Sequence, residues 1–256
     1  MPRTRARVLA ASVLAVTTLV GASACRALTG GATARGQAAS SAAAPPPAAP
    51  AARPLTAAQA QNALVTPADL GPPWAPTQGA ATWRDGVLKA TTDAADCRRL
   101  LDALYTDDLF GTPAPVSAVA GLDDSLDQAQ LRYQVLALDA GDVRRTLDWM
   151  RTLPQTCGRF TAVTQHGAVQ SVQVVDAHLP AVGDARQGLR VTLTAQTADG
   201  EPTVLTLDVA AVRAGEDTIA VTDGGLGDVS PDVTKAAVQT GVRRLADVRT
   251  QSGAQV

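Results

Sequence analysis

The clearest periodicity in the chain is a two-residue alternation from Leu126 to Leu138. Ala129, Leu131, Tyr133, Val135 and Ala137 take one phase, and Gln128, Gln130, Arg132 and Gln134 take the other. The same pattern returns later. Leu189, Val191, Leu193 and Ala195 alternate with Arg190, Thr192, Thr194 and Gln196, and Leu205, Leu207, Val209 and Ala211 alternate with Thr206 and Asp208. Alternation of this kind predicts antiparallel strands with one covered and one open face. Further strands are predicted over 116–121, 160–165, 170–177, 188–197, 203–213 and 218–222, with Asp199-Gly200 as a hairpin turn.

Between these segments the period changes to that of a helix. Cys97, Leu100, Leu101 and Leu104 fall at i, i+3, i+4 and i+7, behind Thr92 or Asp93 as a cap, so Cys97 points at the core. A helix over 139–151 carries Val143, Leu147 and Met150 on its inner stripe, an i,i+4 Arg144–Asp148 pair outside, and Pro154 as its stop. Ser230-Pro231 opens a C-terminal helix lined by Val238, Val242 and Leu245, with Arg243, Arg244 and Arg249 near its negative end. Thr56 caps a short helix through Leu64, Thr66-Pro67 starts and Gly71 stops another turn, and Trp74 is expected to plug the core. The predicted class is α+β: a twisted antiparallel sheet packed on one face by helices, with a C-terminal helix and one disulfide.

The first residues follow a different logic. Arg3, Arg5 and Arg7 precede an apolar run from Val8 to Val20, and small residues lead to Cys25. A run of this length suits a signal peptide better than a membrane span. Cys25 resembles the cysteine of a bacterial lipobox, which would make it the lipidated first residue of the mature chain. Ala22 stands where Leu or Val is usual, and Ala22-x-Ala24 also suits an ordinary signal peptidase, which would leave a secreted protein with a free thiol. Residues 26–53 are rich in Ala, Pro, Gly and Ser, without side chains to build a core, and read as a tether. The expected division is 1–24 signal peptide, 25–54 lipidated cysteine and tether, 55–250 one folded domain, and 251–256 tail.

Charge and cysteine content narrow the function. A net charge of -2 and scattered arginines argue against nucleic acid as a partner. With Cys25 assigned to an anchor, Cys97 and Cys157 remain as a pair in an oxidising compartment, bridged or else two buried thiols. The two histidines, His166 and His178, lack zinc-site spacing, and no nucleophile elbow, Ser-x-x-Lys or phosphate-cradling loop is present. Asp223-Gly224-Gly225-Leu226-Gly227-Asp228 lacks EF-hand spacing and reads as a strand-to-helix loop. No metal, cofactor or catalytic residue is predicted.

Several diffuse motifs carry a resemblance. They are Leu64-Val65-Thr66-Pro67-Ala68-Asp69-Leu70-Gly71 before a tryptophan, the helix with Cys97, Cys157-Gly158-Arg159-Phe160 entering a strand, Gly183-Asp184 before paired strands, and the closing helix. The chain resembles actinobacterial sensor-domain lipoproteins, similar to the extracellular domain of PknH-type receptor kinases. The resemblance implies a twisted antiparallel sheet against helices, with a cleft for an undefined extracellular ligand. Kinase-type members carry two disulfides, and this chain has cysteines for one.

The expected function is a non-catalytic ligand-binding or sensor-like domain, anchored by lipid on the extracellular face of the cell membrane. The alternatives are a protein-interaction module of cell-wall or secretion machinery and, less favoured, an uncharacterised hydrolase, so the partner is a small ligand or an envelope protein. Arg132, Arg190, Thr192, Thr194, Gln196 and Asp208 share polar phases and are the candidate binding residues, although a polar sheet face of this kind is more often plain solvated surface.

Overall fold

The computed structural model describes residues 54–111, 115–196 and 200–253. The chain divides into Met1–Ala49 and Pro50–Val256, and every described residue belongs to the second unit. The expected signal peptide, Cys25 and the tether up to residue 53 lie outside the described residues.

Nine strands form one antiparallel sheet: β1 (Trp74–Pro76), β2 (Ala90–Thr91), β3 (Val116–Asp124), β4 (Ala129–Leu136), β5 (Arg159–Thr164), β6 (Val169–Asp176), β7 (Ala185–Gln196), β8 (Pro202–Ala214) and β9 (Asp217–Leu226). Their order across the sheet is β1-β3-β4-β9-β8-β7-β6-β5-β2. The helices are α1 (Ala57–Asn62), α2 (Pro67–Leu70), α3 (Ala95–Thr106), α4 (Ala140–Thr156) and α5 (Pro231–Gly253), with a wide helical turn at Arg84–Leu88. This is the predicted α+β fold with its C-terminal helix. Cys97 and Cys157 are bridged, with Cα atoms 5.5 Å apart, tying α3 to the end of α4.

The helices, expected on one face, divide between the two. On the first face α3 and α4 cover β5 to β8, burying Leu100, Leu101, Leu104, Leu147, Met150 and Leu153 against Val172, Val174, Leu189, Val191, Leu205 and Leu207. On the second face α1 and α5 cover β3, β4, β9 and β8, burying Ala237, Val238 and Leu245 against Leu122, Leu131, Tyr133, Ala210, Val212 and Ile219. Each fully buried Leu, Val or Met contributes roughly 1.5–3 kcal/mol over its exposed state. The physical reason for the division is in β8. Leu205, Leu207, Val209 and Ala211 face the first core and Ala210 and Val212 the second, so this strand is apolar on both sides where a single covered face was expected.

Local differences have identifiable causes. Pro154 does not stop α4, which runs on to Thr156. A proline in the last turn costs one backbone bond, and the helix still closes with Cys157 N–H donating to Leu153 O at 2.7 Å. Gly158 is needed beside it, because a Cβ there would lie 2.4 Å from the Pro154 carbonyl oxygen. The segment 223–226, read as a loop, continues β9. α3 starts on Ala94, with no side-chain cap from Thr92 or Asp93. The short α1 has the expected Thr56 cap, in a reciprocal box with Gln59. Trp74 is buried in the second core, on the very short strand β1.

Candidate functional site

On the second face α5 ends its cover at β8, and among the described residues no helix packs on the sheet beyond it. The side chains that rise there follow from register. Thr192 pairs with Gln173 and Thr206, Thr194 with Ser171 and Val204, and Arg190 with Val175 and Asp208. The outcome is a floor of uncharged polar groups, Ser171, Gln173, Thr192, Thr194 and Gln196, all exposed except the half-buried Thr192. Val163, Val169 and Val175 are also exposed, and the same register sets them on this face.

One end of the floor is closed by Arg190. Its Nε and Nη2 donate to the two oxygens of Asp208, each at 2.8 Å, Nη2 also donates to Val229 O at 2.7 Å, and Nη1 donates to Asp228 at 3.2 Å. The bonds to Asp208, then the nearby carboxylates, hold the guanidinium firmly charged. These contacts engage most of the donors, so Arg190 fastens the loop before α5 onto the sheet rather than offering a fork to a ligand. Asp208 is buried beneath it and equally engaged.

Asp223 stands opposite Asp208 on β9, buried, and its Oδ1 has no hydrogen-bond partner among the described residues. Burial first, then the Asp208 charge, push its pKa up to about 8, against the pull of Arg190. The sequence signal was present in the Asp-Gly-Gly run, but reading that run as a loop removed it from the sheet.

Arg132 is not part of this floor. In the register Leu131 lies opposite Asp223 and Arg132 opposite Thr222, so Arg132 takes the first face while Arg190 and Asp208 take the second. Arg132 lies 3.4 Å from Asp107, which also binds Arg84 at 2.8 Å. Asp107 closes α3 with φ 55°, and burial raises its pKa although both guanidiniums oppose the shift. The expected group of six residues therefore splits: Arg190, Thr192, Thr194, Gln196 and Asp208 share one face, and Arg132 belongs to a different ion cluster across the sheet.

A cleft of about 360 Å³ opens between the loop from Gln78 to Trp83 and the β3–β4 hairpin. Its polar groups are largely spent on the fold. Gln130 Nε2 donates to Thr77 Oγ1, Gly79 O and Asp123 Oδ1, and its Oε1 accepts from Ala81 N. His178 lines a second open cleft with Asp176 and Arg186. Among the described residues, no three His, Cys, Asp or Glu side chains converge as metal ligands would.

No family model matches the chain, and no curated protein matches it. Among solved structures it is similar to the extracellular domain of PknH from Mycobacterium tuberculosis, with a TM-score of 0.45 and 14% identity over 76% of this chain and 98% of that one.

Proposed function

We propose that this chain is an exported, lipid-anchored binding domain, sensor-like and non-catalytic, whose ligand meets the uncovered half of the second sheet face. The observation that carries the reading is the row Ser171, Gln173, Thr192, Thr194 and Gln196, displayed on paired strands that no helix among the described residues covers on this face. Hydroxyl and amide groups both donate and accept, so the row suits an uncharged ligand rich in hydroxyls or amides. The Cys97–Cys157 bridge supports an oxidising compartment outside the cytoplasm.

A second reading, a protein partner on the same floor, is favoured by the exposed Val163, Val169 and Val175 beside the polar row. One experiment separates the two. Thermal-shift screening against fractionated envelope small molecules should raise the melting temperature by mass action, and Gln173→Ala/Thr194→Ala should abolish that rise with its own melting temperature unchanged. A rise only with envelope protein fractions, lost in the same variant, supports the second reading. Binding that survives the double substitution returns the floor to solvent.

A further inference from the structure

The outer groove of α4 holds an arrangement that the sheet floor does not involve. Arg144, Asp148 and Arg151 are spaced at four and three residues and share one helix face. This face meets the Ala185 end of β7 and the Arg213 end of β8, which lie opposite each other in the sheet. Between them is a narrow cleft of about 80 Å³, lined by Val143, Arg144, Leu147, Asp148, Arg151 and Arg213. At about 30 Å³ per water, it has room for a group of a few heavy atoms.

Three guanidiniums line this space and one carboxylate. The expected i,i+4 pair Arg144–Asp148 does not form; Asp148 instead accepts from Arg151 Nη1 at 2.6 Å. Arg144 is left without a hydrogen bond or ion pair among the described residues. Arg213, on the opposite wall, has among the described residues only Glu216 at 4.0 Å as an ionic partner, too long for a direct hydrogen bond. Val143 and Leu147 are buried at the base, so an anion above them would meet a poorly polarisable floor that strengthens its attraction to the arginines. Both walls are firm: α4 is tied at its far end by the disulfide, and β8 is a central strand.

We propose that this cleft binds a compact oxyanion, a carboxylate or phosphate group, clasped between Arg144 of α4 and Arg213 of β8. Planar guanidiniums on opposing walls match the oxygens of such a group, and the apolar base accommodates a short carbon attachment. The site is independent of the sheet floor and of any ligand there.

The test is calorimetric titration of the full chain, in neutral detergent, with inorganic phosphate and with acetate at low ionic strength. Saturable binding of at least one anion is expected. Arg144→Gln and Arg213→Gln should each weaken it by about tenfold or more, and Asp148→Asn should tighten it several-fold. Arg145→Gln should leave it unchanged, because Arg145 pairs with Asp142 outside the cleft. Two sources of the anion are separated by monomeric dihexanoyl phosphatidylglycerol: competition with phosphate assigns a lipid headgroup, and its absence assigns a soluble anion. Failure of both anions to saturate, or equal weakening in Arg145→Gln, overturns the site.

Discussion

Asp223 lies in a central part of the sheet opposite a second carboxylate, and the consequence for stability has a definite sign. Its pKa of about 8 in the folded chain exceeds the ordinary 3.8, so the folded state keeps a proton that the unfolded state releases above about pH 4. Stability from this group is therefore greatest at the acid end, falls as pH rises through the window, and levels off above about pH 8. Burial raises Asp107 and Asp217 in the same direction. Asp223→Asn, which mimics the protonated acid, should be more stable than the parent at pH 8, on the order of a few kcal/mol, with the two converging near pH 4. Urea midpoints at several pH values would check this, and a parent whose stability climbs steadily across the window would rule it out. Gly241 is a second residue with a sharp expectation. A Cβ there would lie 2.0 Å from Tyr133 Oη, and that hydroxyl is buried with no hydrogen-bond partner among the described residues. Gly241→Ala should lift α5 and cost about 1–3 kcal/mol, and Tyr133→Phe should recover part of the loss in a double-mutant cycle.

Among the elements, those with long and strict periods are legible in the sequence. The Cys97-to-Leu104 stripe, the alternation in β4, β7 and β8 and the Ser230-Pro231 start of α5 all correspond to observed elements. β1 and β2, at 3 and 2 residues, are too short to show a period and exist only through pairing with β3 and β5. The site was less legible for a reason internal to alternation. A strand's sequence separates its two phases but does not say which phase meets which helix layer. Arg132 and Arg190 are both polar positions between apolar neighbours, yet the apolar neighbours of Arg132 meet α5 and those of Arg190 meet α4. The two arginines therefore emerge on opposite faces. The bridge between α3 and α4 was inferred from export and cysteine count, and it closes a separation of 60 residues. Replacing both cysteines by alanine should lower stability by up to about 4 kcal/mol, read from urea unfolding. Intact mass of unreduced, alkylated protein should show the pair blocked.

At the scale of the whole chain, the expected anchor residue Cys25 lies outside the described residues. Clickable fatty-acid labelling in a lipoprotein-processing host should mark the parent chain and leave Cys25→Ala unmarked. Labelling of neither, with the protein free in the medium, would favour plain secretion. The placement of helices on opposite faces of opposite sheet halves has a further effect. The two cores draw on largely different elements and meet at β8, which is packed from both sides, and at the end of β9, where Leu226 packs against the first core while Ile219 and Val221 lie in the second. Amide protons of β8 and its neighbour β9 should exchange with deuterium at rates set by global unfolding alone. The β5–β6 hairpin and β3, each resting on one core, should exchange through smaller openings that leave the other half intact. On that basis each half could lose and regain its order while the other half keeps the strand they share.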